Sequence, residues 1–530
     1  MPERYGKLMR SISNIIIKAL TLLVCASLLL PAGAFATTMD DSLTLGMISV
    51  KTRSLNPLVS EEREFQSLTS LMFEGLYKLD DDYRPVPCIA KGNAAISSNG
   101  KTWTVTLRND VTFHDGTPCT AYDVVATTQE ILRLAENGQG QYNQLRFMIS
   151  NVMANNAETV VFTVTRPYYG IYYALTFPIL HESQVQYDLP LGTGPYKMDR
   201  FEPGNILYMS AYDGWHDGEL TVKNISVAFK ATNRDLITEY EYNRVDAAIT
   251  RSASAGQYQT GLTNLNISYR TRQLETLLFN FREYPLDDLR VRLAIRYAIN
   301  FDAIANQVYM GMAQRTDTPM PSGTWMYQDN DEYRYDPEKA KALLEEAGWV
   351  VNENDEGIRH TTVVEKGEQK DRRLQLRIYV YEEQDNSVRI QVANMISDYL
   401  EAVGIRAPVH SESFNSVSSR LKAKNFDMAI AAFQMDVVPD PGFLLMSGNT
   451  GNFGSYKSKE MDKLFENLRK EREYENYQKI LWDIQDLFAK DCPFACMYYR
   501  SGALLTRKVF TVVRNVREPE ILRGIEAIGN

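Results

Sequence analysis

The chain has one long apolar run, Leu20 to Leu30, and it ends in Pro31-Ala32-Gly33-Ala34-Phe35-Ala36. Arg4, Lys7, Arg10 and Lys18 precede it. A basic start, a short apolar core and a small-residue A-x-A end are the three parts of a secretory signal peptide. The run is short for a membrane span, which takes about 20 apolar residues. Lipidation of Cys25 is the other processing option. Val24 is bulky where a small residue is expected before a lipidated Cys, and more apolar core follows Cys25. Cleavage after Ala36 is therefore expected, with residues 1–36 an address and the remainder extracytoplasmic or periplasmic.

What remains is 494 of the 530 residues, with the formal charge moved from −10 to −13. This length suits several domains with well-packed cores. At 44% hydrophobic and 23% charged residues the composition is that of a folded globular chain, which excludes disorder, collagen and coiled coil as the main architecture. An acidic balance lacks the basic footprint of a nucleic-acid binder. The 31 Tyr suit amphipathic binding surfaces. Cys88, Cys119, Cys492 and Cys496 follow the leader, in a compartment that permits disulfides. Cys88 with Cys119 is the preferred pairing, because both lie in one compact segment; free buried thiols are the equal alternative.

Periodicity places strands and helices in alternation. Leu68, Leu71, Met72 and Leu76 form a helical face that ends near Gly75. Asn99-Gly100 is a hairpin signal, followed by Trp103, Val105 and Leu107 alternating with threonines. Thr120 caps a helix. From about residue 271, short apolar strands alternate with helices. Asp287-Asp288 opens one, Asp336-Pro337-Glu338 starts another that Gly348 stops, and Val392, Met395, Ile396, Tyr399, Leu400 and Val403 stripe a third. Phe426 to Ala432 reads as a buried strand. Residues 351–372 read as an exposed loop or β-hairpin excursion. Such a mixture predicts an α/β sheet in each lobe of the molecule.

Catalytic and metal signatures are missing. His114, His181, His216, His360 and His410 show no i, i+4 pair, and neither HExxH nor G-x-S-x-G occurs. The loop from Gly448 to Gly454 lacks the Lys of a P-loop. Asp287-Asp288 and Glu345-Glu346 read better as helix starts and solvated faces than as a glycosidase acid pair. No enzyme, no metal and no cofactor is the expectation.

Several stretches resemble the extracytoplasmic solute-binding proteins of peptide-type ABC importers, the oligopeptide, dipeptide and nickel group. They are Asn56-Pro57, Phe73-Glu74-Gly75-Leu76-Tyr77, Asn99 to Trp103, Val111 to Pro118 with Asp123-Val124-Val125, Gly192 to Tyr196, Leu289 to Asn300, and Tyr335 to Trp349. Cys88 and Cys119 depart from the small or aromatic residues usual in that family. The resemblance implies an α/β, two-lobed periplasmic-binding-protein fold of type II with an extra inserted domain and a hinge. Residues 37–80, 190–270 and 500–530 would form lobe one, 81–189 the insert and 271–499 lobe two. It implies a peptide or similar small solute as ligand, an ABC permease as partner and a monomer. A nickel-chelate or other non-peptide receptor, or a sensor or adaptor on the same fold, is the alternative.

By the same resemblance, Asp436 of Phe433-Gln434-Met435-Asp436 meets a ligand ammonium. Phe433 packs on ligand side chains, Asn452 pairs with its main chain and Tyr499 faces it. Glu62, in the lip Ser60-Glu61-Glu62, favours cationic ligands. Asp436 as a mere loop cap, and Phe433 as a core aromatic, are the structural alternatives. His114 is expected to be structural. The family's carboxylate-anchoring arginines do not carry over: Glu383, Gln384 or Asp385 stands at one place and Ile430 at the other. N-terminal sequencing of the exported protein is expected to read from Thr37; a lipidated Cys25 would overturn that assignment.

Overall fold

The computed structural model describes residues 41–49, 53–60, 62–258, 260–261, 265–329, 334–365, 367–383, 388–507, 516–522 and 524–525. The leader and its cleavage site lie outside them. Eleven strands make one continuous sheet: β1 (Ser42–Ile48), β2 (Tyr196–Glu202), β3 (Ile206–Ala211), β4 (Asn224–Lys230), β5 (Ala247–Thr250), β6 (Leu265–Phe279), β7 (Ala313–Arg315), β8 (Ile378–Tyr381), β9 (Val409–Glu412), β10 (Met428–Gln434) and β11 (Phe494–Thr506). Their order is β9-β8-β10-β6-β11-β5-β1-β4-β3-β2, with β7 beside β11.

The long antiparallel pair β6 and β11 belongs to both halves of this sheet. Over Leu265–Arg270, β6 faces Thr506–Ser501, and β11 there also pairs with β5. Over Leu274–Leu278, β6 faces Tyr499–Phe494 and carries β10 on its other edge. The register shifts between Arg270 and Leu274. A bulge of this kind bends and twists the strand. The two halves therefore meet at residues 270–274.

Strand interiors follow burial. In β6, Leu274 to Phe279 are all buried, as expected of a strand covered on both faces. Glu275 interrupts that run at 0% exposure. Its carboxylate accepts hydrogen bonds from Arg389 Nη2 (2.6 Å) and Gln273 Nε2 (2.8 Å). Arg389, itself 1% exposed, also donates to Glu383 (2.5 Å) and lies 4.1 Å from the Tyr381 ring centroid. Burial pushes the Glu275 carboxyl upward, but the charge and hydrogen bonds of Arg389 outweigh it and hold it below the usual glutamate range.

Helix ends follow their caps. Asp336 accepts from Lys339 N (2.9 Å) to start the helix Pro337–Glu346. Thr120 N and Oγ1 both donate to Asp123 (2.8 Å each) at the start of Ala121–Glu136. Asp288 caps Leu289–Ala298, and the third stripe forms the helix Val388–Glu401. Arg292 donates to the carbonyls of Leu286, Asp287, Asp491 and Cys492, so the Arg290-Val291-Arg292 motif is a structural tie. The first helix spans Arg63–Met72 and ends earlier than the apolar spacing predicts. Gly75 is the reason: it bridges to Pro178, and a Cβ there would stand 2.6 Å from the Thr176 carbonyl oxygen. The chain must leave the helix to make that approach.

The segment after Leu79 carries its own four-stranded sheet, Ala95–Ile96, Thr102–Thr106, Thr159–Val164 and Ile149–Asn156, with the helix Ala121–Glu136 against it. Gly100 turns its first hairpin at φ +72°. Arg359–Glu365 and Glu368–Arg373 form the excursion hairpin, exposed along its second strand. His114 Nε2 meets the Gly194 carbonyl (3.1 Å), and burial pulls its pKa down to about 4, as befits a neutral structural histidine. All four cysteines are buried and free. The preferred Cys88–Cys119 bond is not formed: Cys88 Sγ sits against Glu74 Oε1 (3.7 Å), while Cys119 packs into the main apolar core. Among the described residues no helix is long and apolar enough to cross a membrane.

Removing one partner of a buried ion pair strands the other charge. Arg389→Ala is expected to cost about 3–5 kcal/mol in urea unfolding at pH 7. The folded Glu275 value is lowered, so its contribution is present above the ordinary value of 4.5 and fades as pH falls below it. The penalty of Arg389→Ala should accordingly shrink in acid.

Candidate ligand-binding site

A partly open space of about 590 Å³ lies where the two halves meet. Leu79, Tyr83 and Glu518 line it from one half; Pro319 to Pro321, Met326 and the whole stretch Met435 to Pro441 line it from the other. Arg270, Thr271, Arg272 and Tyr499, on the two crossing strands, form its floor. An aromatic cluster packs beside Tyr83. Trp325 donates from Nε1 to the Tyr83 carbonyl and to Tyr173 Oη (3.1 Å each), and its ring lies 4.9 Å from Tyr474 and 6.5 Å from Tyr169.

The structure sorts the residues expected at the site. Asp436 stands two residues beyond the last residue of β10, is exposed and lines the space. Its Oδ1 accepts from Val438 N (3.2 Å), so it caps the following loop and still presents the rest of its carboxylate. Tyr499 also lines the space. It is 3% exposed, and its phenol donates to the Pro319 carbonyl (2.6 Å), so it offers a ring surface and no free hydroxyl proton. Phe433 is half-buried between Phe453 and Phe443, with both centroids 6.2 Å away; it supports the wall and is not among the lining residues.

Asn452 is a different matter. At 6% exposure its amide donates to the Met446 (3.1 Å) and Tyr456 (2.8 Å) carbonyls, while its oxygen accepts from Tyr456 N (3.0 Å). Every hydrogen of the amide is spent on shaping the loop. Glu62 precedes the first helix, accepts from Ser49 Oγ (2.5 Å) and is not a lining residue. The cationic preference expected from the Ser60-Glu61-Glu62 lip thus has no support in the position of Glu62; Glu61 lies outside the described residues.

Sequence reading missed Arg270 and Arg272. It placed a crossing near 270 but drew nothing from two arginines spaced i, i+2, although that spacing puts both on one face of a strand. It also missed two neutralising pairs. Asp440 accepts two hydrogen bonds from Arg469 (Nε 2.6 Å, Nη2 3.0 Å), and Glu518 pairs with Arg251 (Nε 2.7 Å). Arg389, the cation nearest the family's carboxylate anchor in sequence, is committed to Glu275 and Glu383. Among the described residues no cluster of His, Cys, Asp and Glu suits a metal ion.

The partly open space thus lies between two halves of one sheet that two long strands join. Residues 84–455 match the family model of bacterial extracellular solute-binding proteins, family 5, middle region, and the chain belongs to that family. The oligopeptide-binding protein AppA of Bacillus subtilis (strain 168) is 24% identical over 490 residues, 86% of this chain and 86% of that protein. The nickel-binding periplasmic protein of Escherichia coli (strain K12) is 28% identical over 357 residues, 62% of this chain and 64% of its own. In solved structures, AppA of B. subtilis with a nonapeptide superposes with a TM-score of 0.65 at 19% identity, covering 92% of this chain and 98% of that one. NikZ of Campylobacter jejuni with Ni(L-His) gives 0.70 at 21%, covering 92% and 99%. The fold is the two-lobed one of that family.

The two roles of Asn452 separate cleanly. Asn452→Ala leaves a buried carbonyl and a buried N–H without partners, so it should lower stability by about 1–3 kcal/mol. Its ligand affinity, measured by calorimetry below the melting transition, should stay within a few-fold of wild type.

Proposed function

We propose that the protein is the extracytoplasmic binding component of an ABC importer, holding a peptide or peptide-like solute between its lobes and presenting it to a membrane permease as a closed monomer. Residues 1–36 direct export and are cleaved off after Ala36. Lobe one comprises 37–80, 190–270 and 500–530, the insert 81–189, and lobe two 271–499. The observation that carries the reading is Asp436, an exposed carboxylate just beyond the end of β10 that lines the space beside Met, Pro and Val side chains. An α-ammonium there gains a charge-assisted hydrogen bond, stronger than a neutral one. Met320, Met326 and Met435 surround it with adaptable apolar surface, which suits side chains of varied shape. Lobe closure then encloses the ligand and couples binding to recognition by the permease. Its relatives include an oligopeptide-binding and a nickel-binding protein.

The test combines a mutation with a ligand change. Peptides retained by the purified protein are identified by mass spectrometry, and the tightest is synthesised with a free and an acetylated N-terminus. Asp436→Ala should weaken the free form by about 2–5 kcal/mol. Acetylation should do the same to wild type, and the two losses should not add, because they remove one interaction. Additive losses, or a variant that binds normally but melts early, would leave Asp436 a loop cap only.

A further inference from the structure

The ammonium reading uses one charge of the cavity and leaves two unexplained. Five ionisable carboxylate or guanidinium side chains line it: Arg270, Arg272, Asp436, Asp440 and Glu518. Asp440 and Glu518 are neutralised from behind by Arg469 and Arg251. Asp436, Arg270 and Arg272 remain, so the space holds an excess of positive charge in a protein that is acidic as a whole.

Neither arginine is satisfied. Arg270 donates from Nη1 to the Ser322 carbonyl (2.5 Å) and stands 5.0 Å from the Tyr83 ring centroid. Arg272 donates from Nη2 to Gln66 Oε1 (3.2 Å). The Nε of each is shielded from solvent and has no hydrogen-bond partner, and among the described residues neither side chain forms an ion pair. A carbonyl, an amide oxygen and a ring face position a guanidinium without cancelling its charge. A half-buried guanidinium with an unmet donor is costly unless an anion completes it. The two stand on β6 with one residue between them, where its register shifts, and both line the same space. The Tyr142 phenol feels Arg272 and Asp436 with opposite sign, which puts those two charges within electrostatic reach of one side chain.

We propose that Arg270 and Arg272 form the anion subsite of this cavity and receive a carboxylate of the ligand. The inference rests on the space being the peptide site proposed above. Planar guanidinium forks match a carboxylate geometrically as well as electrically. Two cations against one free acid are balanced by a ligand with one ammonium and two carboxylates. The preferred substrate class is therefore a short peptide of net charge −1, with its C-terminus and one acidic side chain both ionised. This also supplies the carboxylate anchor that Arg389, already paired, cannot provide.

The experiment offers an equimolar synthetic library of peptides of about two to nine residues, half of them carrying one Asp or Glu. Each is present as free acid, C-terminal amide and N-acetyl form. Wild type, Arg270→Gln, Arg272→Gln and the double variant are incubated with it and gel-filtered, and bound peptides are counted by mass spectrometry. Wild type should enrich acidic free-acid peptides about tenfold or more over neutral amides. The double variant should lose that enrichment while still preferring free over acetylated N-termini. Because each preference is a ratio within one protein, partial loss of folded material cancels. The amide arm reports the C-terminus and the acidic half of the library reports the side chain, so the source of the carboxylate is read separately. A double variant that keeps the wild-type charge preference overturns the anion subsite alone. A wild type that retains peptides without charge preference does the same, whereas one that retains none of the library overturns the peptide reading and the subsite together.

Discussion

The antiparallel pairing of β6 with β11 is the contact on which the molecule depends. Two chain segments more than 200 residues apart run side by side through both halves of the sheet, and every other strand is built outward from them. A shared pair of strands gives a particular kind of joint. Backbone hydrogen bonds hold the strands together across the boundary, while the register shift at 270–274 breaks the ladder locally and allows a bend there. The binding space sits over that break. Its floor is therefore a part of the sheet with irregular pairing, and its walls come from both halves.

Charge is handled in two contrasting ways around this joint. Glu275 and Arg389 are fully buried and mutually satisfied, with Glu383, Gln273 and the Tyr381 ring completing them. In a low-dielectric interior such a pair survives only when its geometry is complete. Asp440 with Arg469 and Glu518 with Arg251 follow the same rule at the edge of the space. Arg270 and Arg272 do not follow it. Their side-chain partners, the Ser322 carbonyl and the Gln66 amide oxygen, are neutral, and the Nε of each is buried without a hydrogen-bond partner. Satisfied charges fix the scaffold, whereas the anion subsite proposed here draws on the unsatisfied ones.

The family resemblance and the residue patterns agree on more than the fold. Motifs such as Asp336-Pro337-Glu338 and Asn99-Gly100 are legible because capping and turn chemistry act within four residues of chain. Asp436 is legible for a related reason: it stands two residues beyond a buried strand, so its place near the sheet's end is fixed by strand length alone. Asn452 is ambiguous in sequence, because an amide in a glycine-rich loop reads the same whether it points at a ligand or at its own backbone. Only the positions of Met446 and Tyr456 decide between these. Glu62 is ambiguous in the same way, since a sequence cannot tell a charged lip from a side chain that turns back to Ser49.

The sequence by itself determined the helix starts, the hairpin turns, the alternation that makes the sheets, and the strand end that carries Asp436. Each of these rests on interactions between near neighbours in the chain. The pairing of β6 with β11 was decided by the tertiary structure, as were the four unbridged thiols, the commitment of Arg389 to Glu275, and the exposure of Arg270 and Arg272 to the cavity. Those depend on which distant groups arrive at the same place. A buried charge takes whichever partner packing brings within hydrogen-bond reach, and nothing in the local sequence records that choice.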